Sequence, residues 1–314
     1  MDFSILRAFA MVLRTWPFLL LRLALSAMVM VSYAFGIGTG AGLGWGIGGL
    51  WPPDGEAIGA LIGAFAGFCS IALVWVWLRV YLVYLLKGGH VAALVAALDG
   101  APLPRGFGQI GFALRVVRAR FLEINALFVL DQLIKGAVGA VTALVGVITN
   151  VSGLPGLGAL ANVLNGVIRM STLFVDELIL AYNLRIVSAD PWSTAQDALV
   201  LYAQNAWTVL RNALVLTVLM SLFALGVFVL LLAPAGALVL LVPGAVSTGT
   251  AAVALVGALA LTHALWEPFC IACLMQVYFG AIAGQRPDPD WRARLDGASA
   301  KFAALGRRAV DAAA

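Results

Sequence analysis

Three times along this chain a long apolar stretch runs into a short loop and a second apolar stretch, and none of the three loops holds a lysine or arginine. The loops are Gly40 to Glu56, Gly146 to Gly156 and Ala233 to Ser247. Every basic residue falls inside an apolar stretch or on the opposite side of the pattern, from Arg7 and Arg14 to Arg307 and Arg308. Membrane insertion sorts charge in this way, because short loops rich in lysine and arginine stay in the cytoplasm. The pattern predicts an all-α membrane protein with about six transmembrane helices, built as three helical hairpins. Both termini are expected to be cytoplasmic, in a bacterial inner membrane.

Apolar residues make up 63% of the chain and charged ones 11%, against roughly a quarter charged in a soluble domain. A water-soluble core of this size could not hide so much apolar surface, so lipid must cover the remainder. The formal charge of +4 does not point to nucleic acid. The basic residues stand at helix ends on one side, where they face anionic lipid. Membrane lipids are therefore the expected partners, with a second copy or a membrane complex left open.

A span needs about 20 predominantly apolar residues. The expected spans are Trp16 to Thr39, Ala57 to Leu86, Phe121 to Val147, Leu157 to Val187, Trp207 to Leu232 and Thr248 to Gly284. Pro52, Pro53, Pro155, Pro234 and Pro243 lie in the basic-free loops, where the missing donor and fixed φ should stop helices. The first run carries Arg22 in its middle and continues past any small-residue cleavage site, so it reads as a membrane helix and not a cleaved signal peptide.

An internal repeat underlies the hairpins. Each is preceded by an amphipathic segment ending in an aromatic: Phe3 to Arg14 before Trp16, Phe107 to Arg120 before Phe121, and Ser193 to Asn205 before Trp207. The second and third units share Asn125-Ala126-Leu127 and Asn212-Ala213-Leu214, and end in Asp190-Pro191-Trp192 and Asp288-Pro289-Asp290-Trp291. Recurring order of this kind marks duplication, although any hairpin protein needs aromatics at the membrane surface. The units are 3–86, 107–187 and 193–284, followed by a cytoplasmic tail, 285–314. In Phe107 to Arg120, Ile110, Leu114 and Val117 share a face, so the segments are expected in the headgroup plane. In the tail, Trp291, Leu295, Phe302 and Leu305 recur near a helical period. That helix could dock on the bilayer, on other cytoplasmic helices or on a partner.

Gly55, Gly59, Gly63 and Gly67 are four apart, so a helix through them carries one smooth stripe. Small residues at that spacing let membrane helices approach closely. From Gly36 to Gly48 glycine occupies every second position, which suits either a helix with two small faces or a flexible outer loop.

Ionisable residues within spans cost about 2.5–3.5 kcal/mol each at the bilayer centre and so face a partner or water. The first hairpin holds Arg22 and Arg79, the second Glu123, Asp131, Lys135, Arg169, Asp176 and Glu177, and the third Arg211, His263 and Glu267. Asp131 and Lys135, four apart, can neutralise each other along one helix. Aligned by repeat, Arg79 falls near the level of Asp176, Glu177 and Glu267. That makes an intramembrane charge cluster, either locking the hairpins together or binding an ion or substrate. Glu267-Pro268 adds an interrupted helix beside a carboxylate, the arrangement with which transporters coordinate ions. His263, one turn earlier, could join a proton relay or simply be hydrogen-bonded.

Other chemistry is not encoded. Cys270 and Cys273 have redox spacing without a second ligand pair, so burial is the expected role for these and for Cys69. Two histidines, His90 and His263, are too few and too separated for a zinc hydrolase. There is no Walker-type phosphate loop, and no nucleophile and base stand at a credible spacing. Neither catalysis, a cofactor nor a metal is expected.

The segment Phe174-Val-Asp-Glu-Leu-Ile-Leu-Ala-Tyr182, with Asp190-Pro-Trp192 and Leu199-Val-Leu-Tyr-Ala-Gln-Asn205, resembles bacterial multi-pass membrane families of uncharacterised role. The order of span, interfacial helix and span also resembles, over about a third of the chain, the C-terminal part of choline transporter-like proteins. The large outer loop of that family is absent and the spans are fewer, so the resemblance implies transport only in outline and assigns no residue. Two functions follow: transport or permeation of a small or lipid-like molecule, or a membrane scaffold that docks partners through its cytoplasmic helices.

Overall fold

The computed structural model describes residues 1–51, 54–120, 133, 134, 137, 139, 174–186, 190–241 and 246–313, with side chains at all of these except 79–84, 120, 233–241, 246–256, 263, 312 and 313. Among the described residues every regular element is a helix. The elements are α1 (Ile5–Arg14), α2 (Trp16–Gly48), α3 (Gly55–Leu98), α4 (Gly108–Arg120), α5 (Val175–Arg185), α6 (Pro191–Gln204), α7 (Ala206–Leu241), α8 (Val246–Ala281), α9 (Pro289–Ala298) and α10 (Ala300–Ala313). Four segments are long and apolar enough to cross a membrane: Trp16–Gly48, Gly55–Leu78, Ala206–Leu232 and Gly257–Ala281. The expected spans of the middle hairpin lie largely outside the described residues, which reach helical residues 133, 134, 137 and 139 of the first and the end of the second, as α5.

Two expected boundaries are corrected. The glycine-alternating segment is not a loop: α2 continues through it to Gly48. In lipid the backbone must satisfy its own hydrogen bonds, so glycine's weak helix propensity is overridden. Pro234 does not stop its helix either, since α7 runs on to Leu241. An interior proline costs a membrane helix one backbone hydrogen bond, a loss that membrane helices tolerate.

The chain divides into two compact units, Leu20–Lys87 and the remainder, Met1–Leu19 with Gly88–Ala314. The smaller is a hairpin of α2 and α3 whose backbones meet at glycine. A Cβ placed on Gly59 would lie 2.9 Å from the Gly48 Cα, and one on Gly63 would lie 2.9 Å from the Gly44 Cα. The alternate glycines of α2, Gly38, Gly42 and Gly46, have nothing within 4 Å of such an atom. Only one of the two small faces of α2 is therefore used. Around this seam the hairpin exposes Phe35, Leu43, Ile58, Leu61, Ile62 and Phe65, as a surface solvated by lipid requires.

The larger unit holds the long helices α7 and α8 together with the short helices α1, α4, α5, α6, α9 and α10. At its centre lies α6, none of whose residues is exposed. This corrects the expectation of a headgroup-plane segment at Ser193 to Asn205. The helix is enclosed because α5, α7, α9 and α10 pack on it and the Tyr278 hydroxyl of α8 donates to the Ala198 carbonyl at 2.9 Å. The tail also closes on α6. It is two helices, not one, broken at Ser299, whose Oγ accepts from the Phe302 amide. Leu295, Phe302 and Leu305 are fully buried, Gln196 donates to the Phe302 carbonyl, and Arg292 pairs with Asp197. Of the three docking targets open in the sequence, the tail takes other helices of its own chain.

The repeated Asp-Pro signatures cap helices. Asp190 accepts from the amides of Trp192 and Ser193 at the start of α6, and Asp288 from that of Asp290 at the start of α9. Each has proline at the first helical position, where no donor is lost. The joint between short helix and span recurs too. Thr15 between α1 and α2 has φ −102 and ψ 26, and Asn205 between α6 and α7 has φ −115 and ψ 14. Each turns its side chain back onto a carbonyl four residues earlier, of Met11 and of Leu201.

Candidate functional site: buried carboxylates in the helical unit

Asp176 and Glu177 occupy the first turn of α5, and Glu267 lies in α8 immediately before Pro268. All three are buried: 7% of Asp176, 1% of Glu177 and 5% of Glu267 is exposed. None of the three is without an interaction partner. The helices that carry them pack directly on one another. Tyr182 meets Tyr278 edge-on with ring centroids 6.3 Å apart, and the Arg185 guanidinium sits 4.4 Å above the Phe279 ring.

Local sequence explains these positions. Acids in the first turn of α5 stand at the positive end of its helix dipole, and the cap residue Phe174 supplies no side-chain bond of its own. In α8, Pro268 has no N–H to offer the Ala264 carbonyl, so the backbone around Glu267 carries an acceptor that a regular helix would satisfy. Trp266 holds this stretch to α7 by stacking on Phe223 at 4.8 Å. Cys270 and Cys273 follow, both fully buried. No group of three histidine, cysteine or acidic side chains able to hold a metal occurs among the described residues.

The other charge candidates are placed differently. Arg79 belongs to α3 in the hairpin unit and its side chain lies outside the described residues, as does that of His263 in α8. Glu123, Asp131, Lys135 and Arg169 also lie outside them. Arg22 is buried in the hairpin unit and has a partner. Arg211 pairs with Asp2 at 2.6 Å, so it acts at the membrane-entry end of α7.

A polar framework around the helix ends was invisible in the sequence. Asp2 accepts from Asn212 and Arg211, and both bonds hold its carboxyl below the ordinary aspartate range. Ser4 and Gln276 exchange bonds, as do Asn205 and Gln285. His90, fully buried, contacts Thr15 Oγ1 at 3.0 Å and stacks on Phe18. Partners of this kind stand up to 272 positions apart, and no spacing rule reaches that far.

The long apolar helices place the chain in the class of α-helical membrane proteins. Comparison with protein-family models, with curated proteins and with solved structures finds no match.

Proposed function

We propose that the protein crosses a bacterial inner membrane six times with both termini cytoplasmic, and that it carries a small or lipid-like molecule across. In this reading Asp176, Glu177 and Glu267 take up a proton or another cation during the cycle. The observation that carries it is the burial of three carboxylates on two helices that pack together, one of them beside Pro268, which does not interrupt α8 as the sequence predicts but lies inside it. A carboxylate in a low-dielectric interior is stable when neutral or when a cation sits on it. Alternation between those states is what a coupled transporter needs. The competing scaffold reading loses its most obvious docking surface, because the tail packs on α6 of its own chain.

The test is Glu267→Gln in proteoliposomes loaded with a pH-sensitive dye, with Asp176→Asn and Glu177→Gln in parallel. The neutral isosteres should lower proton or cation flux at least about tenfold, equivalent to a barrier increase of about 1.4 kcal/mol, while the gel-filtration profile stays unchanged. Flux equal to the parent chain would overturn the reading, as would a parent chain that passes nothing.

A further inference from the structure

We infer that α1 lies in the plane of the bilayer surface, with the ridge Leu6, Phe9, Leu13 and Trp16 sunk among acyl chains of an anionic membrane. The ten residues of α1 sort into three sectors at about 100° of helical turn per residue. Ala8, Met11 and Val12 form the buried sector, which packs on α8 and is continued by Thr15. Ile5, Leu6, Phe9 and Leu13 form a second sector that is wholly exposed, Leu6 by 82%. Arg7, Ala10 and Arg14 form the third, also exposed. A helix resting on soluble protein alone needs one buried face and one polar face. The additional apolar sector, bordered by arginines, is what a helix at a headgroup boundary carries.

The lie of α1 follows from its fastenings. At its start Asp2 holds Asn212 and Arg211 in the second turn of α7, and Ser4 holds Gln276 near the end of α8. At its finish the Arg14 carbonyl accepts from Gln109 of α4, and Thr15 meets His90 near the end of α3. The helix therefore runs across the ends of the long helices, not along them. Its apolar sector continues into Trp16, which meets exposed Phe107 edge-on at 5.5 Å. Trp207, 62% exposed, stands one turn before Arg211 on α7, so the ridge lies at the level where a lipid-facing span enters the membrane. Continuity with that surface, and the arginine-bearing sector on its open side matching anionic headgroups, select lipid as the occupant.

The test places single nitroxide labels at Leu6, Phe9, Leu13 and Ala10 of the full chain. The background is Cys69→Ser with the buried Cys270 and Cys273 retained, in vesicles of phosphatidylethanolamine and phosphatidylglycerol. At Leu6, Phe9 and Leu13 the ratio of collisions with oxygen to collisions with a water-soluble nickel chelate should exceed that at Ala10 by about threefold or more. Equal ratios at all four sites would overturn the inference. So would labels at the three ridge sites shielded from both reagents, which would mean that a second copy or another protein covers the ridge. The sites are read separately and touch no core residue, so loss of one labelled protein leaves two that decide.

Discussion

Asp2 ties the first helix to a span more than two hundred positions away, and it does so through charge as well as geometry. Its folded-state pKa is depressed, chiefly by the Asn212 and Arg211 hydrogen bonds. The linked stability is therefore full above the unfolded value and is lost as pH falls through the lowered one, below about pH 4. Asp2→Ala should accordingly unfold at a lower temperature than the parent by a constant margin between pH 5 and 8, the two converging only in acid. Thermal scans of tryptophan fluorescence in detergent give the answer, and a margin that varies across neutral pH would refute it. At this scale the sequence was partly legible. Asp190-Pro191 and Asp288-Pro289 could be recognised because capping is local chemistry. The Asp2–Arg211 and Ser4–Gln276 pairs could not, since they exist only once distant helices have been packed. The carboxylates Asp176, Glu177 and Glu267 stood out because charge within an apolar run is costly wherever it points.

For whole elements, periodicity predicted that helices exist more reliably than it predicted where they end. Glycine and proline mark boundaries in water, yet α2 runs through its glycines to Gly48 and α7 through Pro234, because lipid offers the backbone no alternative donor. The same segment supplies a sharp contrast for mutagenesis. Gly44 faces the backbone of Gly59 and Gly63, which cannot move aside as a side chain could, whereas Gly42 faces open space. Gly44→Ala should destabilise the hairpin by about 1–3 kcal/mol through overpacking. Gly42→Ala should be neutral or stabilising by up to about 1 kcal/mol, since alanine loses less backbone freedom. Opposite shifts in melting temperature would bear this out, and equal shifts would mean that the seam does not hold the helices. The tail makes a second case. Its apolar spacing was visible, but not that Phe302 would be fully buried in its own chain. Phe302→Ala should cost about 3–5 kcal/mol, as an isolated helix resting on solvent would not.

At the scale of the molecule, the larger unit makes an argument about membrane crossings that single helices cannot. Asp2 at the N-terminus is held at the beginning of α7, and the tail that follows α8 folds onto α6, so both termini belong to the same end of the long helices. The chain leaves this unit after Leu19 and re-enters at Gly88, and α4 and α5, which flank residues 121–174, pack against each other within it. An even number of crossings satisfies all of these returns, and the apolar middle stretch raises the proposed total from four to six. Orientation then rests on charge alone, because the loops that would face outward hold no lysine or arginine. Cysteine placed at Trp51 or Val310, both exposed, in the Cys69→Ser background separates the alternatives. An impermeant maleimide added to intact spheroplasts should label Trp51→Cys and spare Val310→Cys until the membrane is broken. Labelling of Val310→Cys alone would reverse the orientation and place the buried carboxylates in a unit facing outward. Labelling of both before lysis would put the loop and the tail on one side, which no stack of simple hairpins allows.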